Sequence, residues 1–149
     1  MSRTTDYLMN TRRIAKLHDS MLKVICEQYH LTLIDVKIIS FLHNNPGLDT
    51  AGDIVELRTL SKSNVSQSVE TLIQKSLLQR SQDAEDRRKI HLALLPAAGP
   101  ITDSIDAIRE QFHKELFHGF SEEERAALNE LNRRLMENAK EALKRRETK

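Results

Sequence analysis

The chain has 149 residues, with 23 Lys and Arg against 22 Asp and Glu, and its net charge is +1 with His neutral. This length corresponds to one domain of ordinary size and argues against a long multidomain enzyme, while the charge balance excludes a polycation that binds nucleic acid through its whole surface. Only four Gly and three Pro are present and 39% of residues are hydrophobic, which indicates a folded, mostly helical protein.

Two helices are predicted in the first part of the chain. Apolar positions recur at helical spacing over about Thr5–Tyr29 and predict a long amphipathic helix. Thr32 followed by Asp35 has the pattern of a capping box, so a second helix is expected to begin there. That helix is expected to end near Asn44, because residues 45–47 contain a proline, which cannot continue the hydrogen-bond ladder, and a glycine, which favours a turn.

Two shorter segments continue the helical pattern. Thr50 and Asp53 repeat the capping-box pattern ahead of a helix of about two turns. Ser61 caps the next helix, whose buried face is predicted from the apolar positions Val65, Val69, Leu72 and Ile73. The exposed face of the first half of this helix is uncharged and polar.

Two short strands are predicted next. The segments Leu77–Ser81 and Ile90–Leu94 alternate between apolar and polar residues, as half-buried strands do. Residues 82–89 between them form a long charged tip, so the whole segment is expected to be a β-hairpin.

Helical spacing returns from Pro96 onward, and after Gly119 the pair Ser121 and Glu124 forms a third capping box. The final helix carries an apolar stripe that includes Leu128, Leu131, Leu135 and Leu143. Too little chain remains to cover both this stripe and that of the first helix, so burial against a second copy is the expected solution. Packing of the two terminal helices on each other within one chain is the alternative.

This order of elements describes a winged helix-turn-helix: a mainly α fold with a small β-hairpin wing between long N- and C-terminal helices. A DNA major groove admits one helix, whose N-terminal residues must offer donors and acceptors to base edges. We therefore interpret four small polar residues as base-reading candidates and a neighbouring lysine as a phosphate contact: Ser63, Asn64, Ser66 and Gln67, with Lys62. The alternative interpretation is that these side chains simply solvate a helix surface.

The charge distribution favours the first interpretation. The window from Arg58 to His91 holds seven basic and four acidic residues and carries +3, while the rest of the chain carries −2. The positive excess therefore coincides with the helix-turn-helix and the hairpin, as expected for a surface that contacts phosphates. An arginine at a thin hairpin tip also suits the narrow, electronegative minor groove of A·T-rich DNA.

The segment from Leu31 to Arg88 resembles the multiple-antibiotic-resistance regulator (MarR) family of bacterial winged-helix repressors. Its most specific motif is Asp-x-x-Asp-Arg-Arg over residues 83–88, and the element order agrees over essentially the whole chain. Family members commonly have Leu-Thr-x-x-Gly after the second strand, whereas this chain has Leu-Leu-Pro-Ala-Ala-Gly over residues 94–99.

The resemblance implies a transcriptional regulator, more often a repressor than an activator, that binds double-stranded DNA at two half-sites as a homodimer. It implies that Arg88 enters the minor groove, supported by Arg87, while Asp86 holds Arg88 in position. Residues 1–30 and 100–149 are then the dimerisation helices, and residues 31–99 the DNA-binding domain. It also implies a small-molecule effector as a partner, and no cofactor.

A thiol- or metal-sensing regulator is an alternative that uses Cys26. A thiol near the C-terminal end of a helix has a raised pKa, and Cys26 with His30 supplies only two metal ligands, so we expect an inert thiol and no metal site. A helical dimer that binds a protein instead of DNA is the other alternative.

Catalytic motifs and export signals are not found in the sequence. There is no Gly-rich phosphate loop, Gly-x-Ser-x-Gly or His-Glu-x-x-His, so no catalytic residue and no enzyme is expected. The single cysteine, the polar first six residues and the lack of a run of roughly 18 apolar residues indicate a cytoplasmic protein with no membrane partner.

Overall fold

The computed structural model describes residues 1–147, in which six α-helices accompany one β-hairpin. In chain order the elements are α1 (Arg3–Tyr29), α2 (Leu33–Asn44), α3 (Ala51–Arg58), α4 (Lys62–Gln74), β1 (Leu78–Gln82), β2 (Ile90–Leu94), α5 (Gly99–Leu116) and α6 (Glu122–Glu147), with a 3-10 turn at Pro96–Ala98 before α5. The predicted order is confirmed, and α1 begins two residues earlier and β1 one residue later than expected. None of the helices in this part of the chain is long and apolar enough to cross a membrane.

Reciprocal capping explains where three of the helices begin. The Thr32 hydroxyl accepts a hydrogen bond from the Asp35 backbone N–H at 3.1 Å, and the Asp35 carboxylate accepts one from the Thr32 N–H at 3.1 Å. The same pair of bonds begins α3 and α6, at Thr50 with Asp53 and at Ser121 with Glu124. All three predicted capping boxes are therefore confirmed.

Two compact units make up the chain, Met1–Phe112 and His113–Lys149. The last two residues, which belong to the predicted dimerisation segment 100–149, lie outside the described residues. In the first unit α2 packs against α1, α3, α4 and β2. The core of this unit consists of aliphatic side chains from all these elements and from α5, including Leu22, Ile38, Ile54, Leu72, Leu92 and Ile105.

In the second unit, α6 has no buried residue. Its predicted apolar stripe is exposed, from 42% at Leu128 to 61% at Leu143. Ahead of α6, the ring of Phe117 packs edge-on against Phe120 and lies under the Arg125 guanidinium, 4.5 Å from the ring centroid. The capped start of α6 is thus locally packed, whereas the body of the helix keeps its leucines uncovered.

Candidate nucleic-acid interface

The N-terminal half of α4 presents small polar side chains to solvent. Ser61 precedes the helix and its hydroxyl accepts a hydrogen bond from the Asn64 N–H at 3.2 Å. Val65, Val69 and Leu72 are buried on the inner face. The exposed surface brings together all five residues predicted on this helix: Lys62, Ser63, Asn64, Ser66 and Gln67.

A buried hydrogen bond holds α4 against α2. The Ser68 hydroxyl donates to Asp35 Oδ1, and the two residues are only 6% and 2% exposed. The second oxygen of Asp35 accepts the Thr32 N–H that caps α2. One carboxylate therefore both begins α2 and ties it to the helix that carries the polar surface.

The capping pattern predicts only the first of these two roles of Asp35. A signal for the second role is present in the sequence, since Ser68 follows Val65 by three positions and so falls on the inner face of α4. A hydroxyl on a buried face needs a partner, because an unsatisfied buried polar group is costly. The identity of that partner follows only from the packing of α2 against α4.

The hairpin tip is ordered by hydrogen bonds within itself. β1 and β2 pair in antiparallel register from Leu78 opposite Leu94 to Gln82 opposite Ile90. Asp83 extends the ladder, since its N–H donates to the Lys89 carbonyl at 2.9 Å. The Asp83 Oδ2 atom then accepts the N–H groups of Glu85 and Asp86, at 3.0 and 2.9 Å. The loop therefore forms a defined turn.

Arg88 stands at the end of this turn with its side chain exposed. Asp86 Oδ1 accepts the Arg88 N–H at 3.0 Å and lies 3.7 Å from the Arg88 Nε atom. The Gln82 amide donates to the Arg87 carbonyl at 2.9 Å. The Arg88 side chain is nevertheless 94% exposed. The wing, residues 78–94, thus fixes the Arg88 backbone and leaves its guanidinium accessible.

His91 and Asp49, neither of which is among the predicted site residues, join the wing to the loop between α2 and α3. The Leu92 N–H donates to the Asp49 carbonyl at 2.8 Å. The His91 ring lies between two carboxylates, with Nδ1 2.7 Å from Asp49 Oδ1 and Nε2 2.6 Å from Asp83 Oδ1. No local pattern could indicate this contact, because Asp49 and His91 are 42 residues apart.

These contacts shift the pKa values of the groups involved. The hydrogen bond to Asp83, and then that to Asp49, raise the pKa of His91 above its ordinary value. The hydrogen bond from His91, with the backbone N–H groups of Asp86 and Glu85, holds the pKa of Asp83 well below the usual carboxyl range.

An exposed ion pair joins the wing to α4. Glu70, the one acidic residue of α4, pairs with Arg80 of β1. This pairing offsets the negative charge that α4 itself carries. Exposed basic side chains remain on α4 and at the wing tip, at Lys62, Arg87, Arg88 and Lys89.

Cys26 lies outside this interface and is half-buried against the core. Burial is the largest cause of its raised pKa, so the thiol is mainly protonated and a weak nucleophile near neutral pH. His30 ends α1 in the left-handed conformation, with φ 55°, so helical spacing does not carry from Cys26 to His30. Within residues 1–147, no three His, Cys, Asp or Glu side chains are grouped so that they could hold a metal ion.

Comparison with known proteins gives a family match to the segment that runs from α2 to the tip of the wing. Residues 30–89 match the sequence model of the MarR family. The HTH-type transcriptional regulator YsmB of Bacillus subtilis strain 168 is 23% identical over 124 residues, which cover 83% of this chain and 84% of that protein. The resemblance seen in the sequence is therefore confirmed.

Solved structures confirm the fold. A MarR-family transcriptional regulator from Silicibacter pomeroyi is similar with a TM-score of 0.76 at 23% identity, over 90% of this chain and 88% of that one. BpsR of Bordetella bronchiseptica, described for the regulation of its DNA binding by 6-hydroxynicotinic acid, is similar with a TM-score of 0.65 at 24% identity, over 90% of this chain and 99% of that one. The winged helix-turn-helix with long terminal helices is thus the fold of this chain.

The contact between Asp86 and Arg88 can be tested without any ligand. In Asp86→Ala the Arg88 N–H loses its acceptor, so we expect a lower backbone order parameter at Arg88 by ¹⁵N relaxation. Because the wing tip is exposed, the free energy of unfolding should change by no more than about 0.5 kcal/mol. Glu85→Ala, an exposed neighbour, is the matched control and should leave Arg88 unchanged. An Arg88 order parameter equal in both variants would contradict the role given to Asp86.

Proposed function

Because residues 30–89 of this chain match the MarR family, whose solved members include transcriptional regulators, we propose that the chain represses transcription by binding a pseudo-palindromic operator as a homodimer. The proposal comprises three separable parts: contacts of α4 and the wing with double-stranded DNA, assembly of two copies, and release by a small effector.

The DNA-binding part rests on one observation. Both α4 and the wing expose polar or charged side chains, and both belong to the compact unit Met1–Phe112. The α4 surface offers hydroxyl and amide groups, which can donate to and accept from base edges in a major groove. We assign base contacts to Ser63, Asn64, Ser66 and Gln67, and a phosphate contact to Lys62 at the start of the helix. The short side chains of Ser63, Asn64 and Ser66 allow α4 to approach the bases closely.

The wing supplies the second contact. The Arg88 side chain is 94% exposed at the tip, and a narrow minor groove attracts an inserted guanidinium electrostatically. We assign to Asp86 the orientation of Arg88, through the hydrogen bond to its backbone, and to Arg87 a supporting contact with the phosphates. Direct readout by α4 and shape readout by the wing would then act on the same site.

We propose that segments 1–30 and 100–149 mediate dimerisation, as the resemblance implies. The support is the uncovered apolar surface of both: the α6 leucines are 42–61% exposed, and Tyr7 and Leu8 of α1 are 67% and 68% exposed. Leucines at three- and four-residue spacing on a helix are typical of helix–helix interfaces. A two-fold dimer predicts half-sites about 10 bp apart.

We also propose that a small molecule controls DNA binding. The support comes from BpsR, whose DNA binding is regulated by 6-hydroxynicotinic acid. An effector of this kind must have different affinities for the DNA-bound and the released conformations of the dimer. Its chemical identity is not part of the proposal.

The wing assignment predicts that Arg88→Ala weakens binding to a duplex selected by the wild-type chain from a random-sequence pool. We expect at least a tenfold higher Kd and a salt dependence whose log–log slope is shallower by about one. Fluorescence anisotropy over a series of salt concentrations measures both. Lys114→Ala, which removes one exposed charge outside the winged segment, should bind like wild type. Equal Kd values for the two variants would exclude the role of Arg88. Failure of the wild-type chain to select any duplex would instead favour a protein partner over DNA.

The base-reading assignment predicts a change in sequence preference for Gln67→Ala. A residue that contacts one base pair discriminates there by about 1–3 kcal/mol, so the variant should lose that preference at one position. Binding to the full set of single-base-pair variants of the selected duplex measures it. Gln74→Ala, at the far end of α4, serves as the control. Weakening by the same factor on every duplex would show that Gln67 does not read a base.

The dimer assignment predicts that Leu135→Asp weakens self-association. A charge placed in a buried apolar stripe should raise the dimer Kd by at least about tenfold, equivalent to about 1.4 kcal/mol. Sedimentation equilibrium gives the constant. Asn129→Asp adds the same charge about 120° away around α6 and should leave the constant unchanged. A monomeric wild-type chain would refute the homodimer, and equal effects of both substitutions would place the interface elsewhere.

A further inference from the structure

His91 is the only side chain described here that bridges the wing and the loop before α3 through both of its ring nitrogens. Asp49 lies on the Nδ1 side of the ring and Asp83 on the Nε2 side. The two carboxylates therefore lie on opposite edges of the imidazole and cannot close around one metal ion with it. The arrangement is a bridge between two anionic groups.

The protonation state of the ring decides whether this bridge can hold. A neutral imidazole has one N–H donor and one lone pair, so it can donate to only one of two carboxylates and presents its lone pair to the other. An imidazolium donates to both. The N···O distances of 2.7 and 2.6 Å place both carboxylates within hydrogen-bonding reach of the ring, and only the imidazolium can donate to both at once.

The bridge is continuous with the turn that carries Arg88. Asp83 uses Oδ1 for His91 and Oδ2 for the N–H groups of Glu85 and Asp86. Asp86 in turn accepts the N–H of Arg88. A displacement of Asp83 would thus reach the Arg88 backbone through two successive hydrogen-bonded residues, while Asp49 anchors the other side of the ring to the loop before α3.

We propose that His91 is a positioning residue for the wing, which as an imidazolium ties the Asp83 turn to Asp49 and so holds Arg88 where DNA binding requires it. This inference rests on the proposed function, because it concerns the same DNA contact. Loss of the proton breaks one of the two bonds, loosens the turn and weakens binding. DNA affinity therefore depends on pH through a residue that does not contact DNA.

The charges around the ring determine the direction of this dependence. Asp49 faces it from the loop before α3, Asp83 from the wing, and β1 places the uncharged Ser81 opposite it in register. A neighbouring groove between the start of α3 and the wing is lined by three further charged groups, Asp86, Arg88 and Lys89.

The two carboxylates favour the charged ring, so the bridge is complete below the ordinary His pKa of 6.5 and is lost as pH rises through the raised pKa. Because the pKa of Asp83 is lowered, the bond between His91 and Asp83 persists at acid pH down through the ordinary carboxyl value of 3.8.

The first experiment needs no DNA. NMR titration of the His91 ring in the full-length protein should give a pKa above the ordinary value, and the backbone amide signals of Glu85, Asp86 and Arg88 should shift with the same midpoint. In Asp49→Asn, which keeps a hydrogen-bonding group but removes a charge, the midpoint should move down. Amide signals of the wing that do not follow the ring would overturn the tie between His91 and the turn.

The second experiment measures Kd for the selected duplex between pH 6 and 9 at constant salt. One linked proton makes the wild-type Kd rise by up to about tenfold per pH unit above the His91 midpoint. His91→Gln, which cannot take up a proton, should bind weakly at pH 6 and lose this slope. His43→Gln, at a histidine of α2 to which no DNA or dimer contact is assigned, should keep it. Equal slopes in wild type and His91→Gln would overturn the inference while the proposed function stands.

Failure of the wild type to bind any duplex would refute the proposed function, and with it the role of His91 in positioning the wing for DNA. The NMR titration would then still decide whether the bridge exists.

Discussion

The hydrogen bond between Ser68 and Asp35 is the constraint on which the exposed polar surface of α4 depends. A carboxylate inside a protein is stable only when its oxygens are satisfied, and here Oδ1 accepts from Ser68 while Oδ2 accepts from the Thr32 N–H. The low dielectric of the interior strengthens both bonds and makes the loss of either expensive. This bond adds one directional contact between α2 and α4 to the apolar contacts of Val65, Val69 and Leu72. The polar face of α4 points outward because its inner face is held in this way.

The tip of the wing, residues 82–89, is ordered by a different means, because it has little apolar surface to bury. It is largely exposed, and its geometry comes from Asp83, which joins the ladder, the turn and His91 through separate atoms. Hydrogen bonds exposed to water contribute less to stability than buried ones, so a tip built in this way is easily perturbed. That property explains why a further contact, from His91 to Asp49, helps to order the tip.

Much of this architecture could be predicted from local patterns. Three local features were sufficient: the three capping boxes, the charged tip between two alternating segments, and the spacing of Val65, Val69 and Leu72. Each involves residues within about one turn or one hairpin of each other. Caps depend on bonds three residues apart, and helix faces on a fixed angle per residue, so sequence spacing is enough to place them. The same reasoning placed the candidate contacts on α4 and at the wing tip on exposed surface.

The sequence by itself therefore determined the elements, their order, the outward face of α4 and the family resemblance carried by residues 83–88. Only the tertiary structure decided which groups meet across long separations: Ser68 with Asp35, 33 residues apart, and His91 with Asp49, 42 residues apart. An isolated Asp or His has the same local sequence pattern whether its side chain faces water on a loop or bridges two elements. Its partner is set by how helices and hairpin pack around the shared core, which no spacing along the chain encodes.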